Sequence, residues 1–451
     1  MKVNVKLDDS SHKGMLKPMN AVNNGPLFAR KDQSRGNFES YAKAGFPYAR
    51  THDANLCFDY GAPHIVDITA VFPNFDADET DPASYDFTLT DRYIGNIIQS
   101  GTKVFYRLGQ SIEHCEKKYG VFPPKDNAKW ARVCEHIILH FNEGWANGYR
   151  YGIEYWEIWN EPDLGADDPS KSPTWQGTKE QFFDLFAVAA TYLKSKFPHL
   201  KIGGPALAWS RDWAEDFLKE MHRRKVPIDF FSWHRYDKNP RRLGEVCDIH
   251  REMLDRHGYS GAESILNEWN YVRDWGENWI YSLRAMQGIK GASYATAVMC
   301  VCQDKPLDML MYYDARTDAR MNGLFEHLSL EPGKTYYPYF AFHQMSVSGE
   351  EVQTESDANE VYVLAVSNGK ETQVLLTYFA EDDNSPAADL TLRFHAACES
   401  ELSVYLTDQN RNMELMKTVT VQPGAETLEL PLNLFDVYRI VIKPVDGKLF
   451  S

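Results

Sequence analysis

No apolar run of about 20 residues occurs anywhere in the 451-residue sequence, so nothing in it reads as a bilayer-spanning helix. Residues 1–17 alternate polar and charged side chains where a secretory leader needs an apolar stretch, so export is unsupported and a cytoplasmic location is the expectation. Cysteine is scarce. The seven residues, Cys57, Cys115, Cys134, Cys247, Cys300, Cys302 and Cys398, are odd in number and scattered, which suits a reducing compartment better than a disulfide framework. Basic residues are outnumbered, 48 against 64 acidic ones, for a net charge of −16. That charge repels polyphosphate backbones and anionic headgroups, which excludes nucleic acid and membrane surfaces as partners and leaves neutral substrates unaffected. Sequence-level repeats are absent as well. Hydrophobic residues at 43% and charged residues at 25% exclude a disordered chain, a fibre and a coiled coil.

What is present is a pattern of short apolar runs followed by amphipathic stretches. The runs 16–22, 48–51, 103–108, 153–158, 201–204, 228–232, 264–267 and 309–313 read as eight strands. Stretches such as 128–145, 179–196, 211–224 and 279–300 carry apolar residues at helical spacing. Strands alternating with helices eight times predict a closed (β/α)8 barrel over residues 16–347. After about Val347 the texture becomes short alternating segments separated by turn residues: 361–367, 372–378, 389–394, 401–406, 418–421, 427–430 and 437–442. These predict a small β-sandwich of residues 348–451, completed by residues 1–15, whose alternating stretch 2–7 supplies a further strand. The sandwich shows no catalytic cluster and is expected to be structural, with an accessory carbohydrate-binding role as the alternative.

In a barrel of this type the reactive groups stand at the C-terminal ends of the strands. The fourth predicted strand ends Trp156-Glu157-Ile158-Trp159-Asn160-Glu161-Pro162, and the seventh ends Ile265-Leu266-Asn267-Glu268-Trp269-Asn270. Each places a carboxylate beside indoles and amides, surroundings that keep one acid protonated and stack a sugar face. The two glutamates lie about three βα units apart, the step from a fourth strand to a seventh. Two carboxylates facing across a barrel mouth are the equipment for glycosidic bond cleavage. Taken singly, Glu161 also reads as a helix N-terminal acid and Glu268 as a buried salt-bridge acid.

The Trp-Asn-Glu-Pro motif and the Leu-Asn-Glu-Trp segment resemble the acid/base and nucleophile signatures of the retaining glycosidases built on (β/α)8 barrels, and within them glycoside hydrolase family 39. The resemblance extends through Arg50-Thr51-His52-Asp53, Ile202-Gly203-Gly204-Pro205 and Phe231-Ser232-Trp233-His234-Arg235-Tyr236, in order along the barrel. It implies Glu161 as general acid/base, Glu268 as nucleophile, Asn160 as partner of the sugar 2-hydroxyl and Arg50 as a cation near the nucleophile. An ionised Glu268 calls for that guanidinium, and retention of configuration calls for carboxyl groups about 5–5.5 Å apart. The resemblance also implies β-xylosidase-like exo action on short oligosaccharides. A uronidase-, iduronidase- or arabinosidase-like enzyme and a non-catalytic sugar-binding barrel are the alternatives. The segment Asn267-Glu268-Trp269-Asn270 departs from the Thr-Glu common in the family's xylosidases, which leaves the glycone open.

His52, Asp53, His234 and Tyr236 follow strands two and six and are further candidates for sugar contact, while Arg235, of opposite parity, falls outside the pocket. Of Trp159, Trp233, Trp269 and Trp275, Trp269 is the one favoured as a stacking surface. Asp314 and Arg316 follow strand eight and read as binders of a hydroxyl and a carboxylate, or as one surface ion pair. No cofactor is called for. His136 and His140 lie four apart on a helix but lack the glutamate of a zinc-protease motif and precede strand four, so no metal site is read there. Cys300 and Cys302 read as buried thiols, and Gly203-Gly204 as a tight turn. An oligosaccharide is thus the expected partner, and homo-oligomerisation is left open.

Overall fold

The computed structural model describes residues 2–27, 36–54, 63–319 and 321–445. Cys57 lies outside the described residues. The chain opens with β1 (Lys2–Gly14) and then builds a closed barrel of eight strands. These are β2 (Ala21–Asn23), β3 (Tyr48–Thr51), β4 (Lys103–Leu108), β5 (Tyr155–Ile158), β6 (Lys201–Leu207), β7 (Phe230–Asp237), β8 (Glu263–Tyr271) and β9 (Met309–Tyr312). Each strand is parallel to its neighbours, and β9 closes on β2 through Val22 and Tyr312. The strands are buried on both faces, which is why they read as nearly continuous apolar runs. Among the described residues no helix is long and apolar enough to cross a membrane.

Side-chain alternation sorts the barrel interior into layers. Ala21, Phe105, Tyr155, Phe230, Ile265, Met309 and Met311 form an apolar floor. Two residues further along four of these strands the same inward parity carries Arg107, Glu157, Ser232 and Asn267, so the floor is overlaid by a polar layer. The opposite parity packs Trp156, Phe231, Trp233 and Leu266 against the surrounding helices in one large core.

The helices Lys179–Lys196 and Arg211–Arg224 match their predicted spans. The stretch predicted as one helix over 279–300 is two, Trp279–Gln287 and Ile289–Gln303, because Gly288 adopts an extended backbone at their junction. Gly203 and Gly204 do not form a turn: β6 runs on to Leu207, and its pairing with β7 shifts register after Gly204. A side chain at Gly203 would place its Cβ 2.1 Å from the Phe230 carbonyl oxygen, so the close approach of β7 explains glycine there.

The second sheet has nine strands. It comprises β1, β10 (Glu350–Ser356), β11 (Val361–Ser367), β12 (Thr372–Tyr378), β13 (Ala388–Ala396), β14 (Ser400–Thr407), β15 (Glu414–Val421), β16 (Gly424–Leu432) and β17 (Val437–Pro444), in the order β15-β14-β17-β12-β11-β10-β1-β13-β16. Strand β1 joins the two wings, running antiparallel to β10 and parallel to β13. Val5, Leu392 and Leu430 from one wing share a core with Leu376, Val404 and Ile440 from the other, so the sheet folds over itself as a sandwich. Strand β10 escapes the sequence pattern because it is written in Glu, Gln and Thr. The helix Ile289–Gln303 is buried almost all round because it lies between barrel and sandwich, where Ser293 Oγ meets Thr377 Oγ1 at 2.7 Å.

Candidate active site

The polar layer is organised around Arg50, whose side chain is fully buried at the end of β3. Its Nε donates to Glu157 Oε2 at 2.6 Å, Nη1 to Glu268 Oε1 at 2.7 Å and to Asn23 Oδ1 at 3.1 Å, and Nη2 to Asn160 Oδ1 at 2.7 Å. Glu157 in turn accepts from Ser232 Oγ at 2.6 Å and Asn267 Nδ2 at 2.5 Å. A buried carboxylate with three donors has its hydrogen-bonding capacity met, so Glu157 anchors the guanidinium from below. Sequence reading passed over Glu157 and Asn23. The signal for Glu157 was its inward parity within an apolar strand.

Glu161 is set by an unusual backbone. After β5 the chain places Trp159 at φ 74° and Glu161 at φ 49°, two non-glycine residues in the left-handed region within three positions. Such conformations are costly and persist where neighbours over-determine them. Here Trp159 N donates to Leu108 O at 2.7 Å, Glu161 N to Ala206 O at 2.9 Å, and Thr174 Oγ1 to Glu161 O at 2.6 Å. Gly109 belongs to the same device, since a Cβ there would stand 2.9 Å from the Trp159 ring.

Glu268 reaches the same space through a bulge. The pairing of β7 with β8 shifts between Trp233–Leu266 and His234–Glu268, so Asn267 and Glu268, though adjacent, both serve the interior. Tyr236 Oη donates to Glu268 Oε2 at 2.9 Å, opposite Arg50 on Oε1. His234 stands between the two acids, its Nδ1 2.8 Å from Glu161 Oε1 and 3.5 Å from Glu268 Oε2. One ligand-capable atom from each of Glu161, His234 and Glu268 lies within 4.8 Å of the others. A cation in that triangle would meet the guanidinium 2.7 Å from Glu268, which opposes it.

Burial raises both acids, in unequal degree. Glu161, aided by the nearby Asp163, is pushed up to about 8, and Glu268, pulled back by His234 and Arg50, to about 7. The lowering of Glu268 by Arg50 expected from the sequence therefore operates, but burial outweighs it. Burial lowers His52 and His234, which favours their neutral forms. The asymmetry leaves Glu161 the better proton holder and Glu268, with two donors, the better anion.

His52 lies against this pair, its Nε2 3.6 Å from Glu268 and 3.4 Å from Asp53. Asp53 is buried and committed, receiving the Tyr313 hydroxyl and facing Arg316 at 3.7 Å. Among the described residues Asn160 Nδ2, a donor, and His234 Nε2 are buried without a partner, polar atoms of the kind a sugar hydroxyl would satisfy. Arg235 bonds Asp237, outside the cluster. His140 is engaged by Asp91 at 2.8 Å and the Trp145 carbonyl at 2.9 Å.

Two candidates are turned away. Trp269, fully buried, points outward and packs edge-on to Tyr312 with centroids 5.4 Å apart, so it is core and not a sugar platform. Asp314, also fully buried, spends Oδ1 on Arg316 N at 2.8 Å and Oδ2 on Arg316 Nε at 3.1 Å and Nη2 at 2.9 Å. Asp314 and Arg316 thus form a buried ion pair, not a surface one, and Arg316 further donates to Asp53 O at 2.6 Å, leaving neither free for a hydroxyl or a carboxylate.

The model of the glycosyl hydrolases family 39 matches residues 15–257, more than half of the chain. The chain belongs to that family. Among curated family relatives, it is 33% identical over 211 residues to a β-xylosidase of Geobacillus stearothermophilus, covering 43% of this chain and 37% of the relative. It is 31% identical over 166 residues to a β-xylosidase of Caldicellulosiruptor saccharolyticus, covering 34% and 31%. The match thus spans about a third of the length of these relatives. The fold is similar to that of a glucosidase from Croceicoccus marinus, with a TM-score of 0.80, 21% identity, and coverage of 99% of this chain and 100% of that one.

Proposed function

We propose that this family 39 chain is a retaining glycoside hydrolase that releases sugars from the ends of short oligosaccharides, with β-xylosidase-like specificity. The observation that carries the reading is the pair Glu161 and Glu268, whose oxygens approach within 4.8 Å. That close approach favours direct attack by one carboxylate over the wider arrangement of inverting enzymes, whose carboxyls stand about 6.5–9.5 Å apart. The similarity to two β-xylosidases supports the choice of glycone.

In the first step Glu268 attacks the anomeric carbon, the bond to the leaving oxygen breaks, and Glu161 gives that oxygen its proton. The negative charge at Glu268 is then lost in the ester. Glu161, with one anionic neighbour fewer, takes a proton from the incoming water, which attacks the same carbon and frees Glu268. Arg50 and Tyr236 hold Glu268 in place throughout, and Asn160 Nδ2 is available to the 2-hydroxyl.

Nitrophenol release from a panel of aryl β-xyloside, α-arabinoside, β-galactoside, β-glucoside and α-iduronide tests the reading, with wild type beside Glu268→Ala. The xyloside is expected to respond, the variant to lose nearly all turnover, and azide to restore part of it as a glycosyl azide of inverted configuration. Turnover by Glu268→Ala equal to wild type would remove the nucleophile and the mechanism with it.

A further inference from the structure

The residues around the two acids are closed off: Arg50, His52, Asp53, Asn160, His234 and Glu268 are each 5% exposed or less. Trp275, in the loop after β8, is 60% exposed. It is nonetheless joined to the centre, because its ring lies 5.2 Å from that of Tyr236 at 78°, and Tyr236 bonds Glu268. One ring therefore separates an open indole from the nucleophile.

The indole is held, not loose. It stacks on Trp279 with centroids 5.0 Å apart and 26° between planes. Asp274 ties the loop into a turn, accepting from Gly276 N at 2.8 Å, Asn278 N at 3.0 Å and Asn278 Nδ2 at 2.5 Å. At the base of the loop Arg273 donates to Glu381 Oε1 of the sandwich at 2.5 Å and lies over the Tyr281 ring at 3.8 Å. What sets Trp275 apart from other exposed apolar side chains such as Trp209, at 74%, is its place: a fixed, open aromatic face one ring away from the nucleophile, which a bound ligand can cover.

We propose that Trp275 is the platform for the aglycone sugar, the ring that departs when the glycosidic bond breaks. The proposal rests on the retaining-glycosidase reading. A sugar whose anomeric carbon meets Glu268 occupies the closed part of the site, and the residue attached to it must lie toward the open rim. There its C–H face meets the indole, an arrangement in which apolar contact and the polarised C–H bonds favour the electron-rich ring. The clamp between Arg273 and Glu381 gives the sandwich a part in holding this platform.

The test compares wild type, Trp275→Ala and Trp275→Phe on xylobiose, which has an aglycone ring, and on β-D-xylosyl fluoride, which has none. Trp275→Ala is expected to lower kcat/KM on xylobiose about 10-fold, chiefly through KM, which is one stacking contact in affinity terms. Its turnover of the fluoride should stay within about 2-fold of wild type, and Trp275→Phe should recover most of the xylobiose activity. Equal losses on both substrates would make the loop a structural element, and no loss on either would leave the indole idle; each overturns the proposal. If wild type turns over neither substrate, the parent reading falls and takes the platform with it.

Discussion

Arg50 and Glu268 meet across the barrel mouth, Nη1 to Oε1 at 2.7 Å, from strands β3 and β8 that are separated by β9 and β2. The guanidinium is fully buried and the carboxylate side chain is 6% exposed. The same cation holds Glu157 and Asn160, so one side chain fixes the nucleophile, its counter-anion and the amide beside the acid/base.

A lysine keeps the charge of Arg50 but not the three-directional fork. Arg50→Lys is therefore expected to fold and to lose about 100-fold or more in kcat, the scale of removing one oriented donor from a reacting centre. The check is steady-state kinetics on an aryl glycoside beside a circular dichroism spectrum. A kcat within 2-fold of wild type would mean that charge alone suffices.

The displaced acids set a pH profile. Turnover needs Glu268 ionised and Glu161 protonated, so kcat/KM should rise as Glu268 titrates near about 7 and fall as Glu161 titrates near about 8. Stability has its own sign. A carboxyl whose folded pKa lies above its unfolded one contributes stability that is full below the unfolded value and is lost as pH rises through the folded one. Glu161→Gln, which cannot ionise, should thus gain melting temperature over wild type above pH 8 and little near pH 4. Limbs at pH 4–5 in the profile, or equal melting temperatures at pH 9, would contradict the raised pair.

The barrel was legible because its strands are short apolar runs between helices, and the acids because they end those runs. Parity reasoning then failed where the backbone departs from regularity. The bulge at Asn267 brings two adjacent residues inward and sends Trp269 outward, which no alternation rule foresees. Asp314 reads in the sequence either as a sugar ligand or as the partner of Arg316 two residues on; the pairing is legible, but not that the pair is buried, since a strand-end rule carries no depth. Glu157 was the converse: a charge inside an apolar run whose partners come from β3, β7 and β8, far apart in sequence. Strand β10 carries too few apolar residues to be read at all, since its place is given by pairing with β1 and β11.

Trp269 offers a clean contrast with Trp275. It is buried in the outer shell beside Tyr294 and Tyr312, and its Nε1 has no partner among the described residues. Trp269→Phe loses volume, which costs about 1–3 kcal/mol, and removes an unpaired buried donor, which returns about 1 kcal/mol. The expected outcome is kcat/KM within 2-fold of wild type on xylobiose and a slightly lower denaturation midpoint. A selective loss on xylobiose would restore Trp269 as a sugar-contacting residue.

The sandwich is bound to the barrel through a charge cluster next to the active-site rim. Glu381 takes Arg273 at 2.5 Å, the Tyr271 hydroxyl at 2.9 Å and Lys290 at 3.3 Å, and the Lys290 side chain is only 6% exposed among Tyr271, Tyr281, Phe379 and Phe435. Removing a partner from a buried pair costs about 3–5 kcal/mol, but the Glu381 side chain is 31% exposed and Lys290 keeps Asp383 at 2.8 Å. Glu381→Ala should therefore destabilise by about 1–3 kcal/mol, the full value discounted for solvent screening and the surviving pair. Urea denaturation followed by tryptophan fluorescence reads this as a lower midpoint, with Glu381→Gln intermediate because it keeps the hydrogen bonds and loses the charge. Should the alanine variant unfold at the wild-type midpoint, the contact between sandwich and barrel would rest on the remaining links of the helix Ile289–Gln303, its packing against β11 and β12, the Ser293–Thr377 hydrogen bond and the Lys290–Asp383 pair.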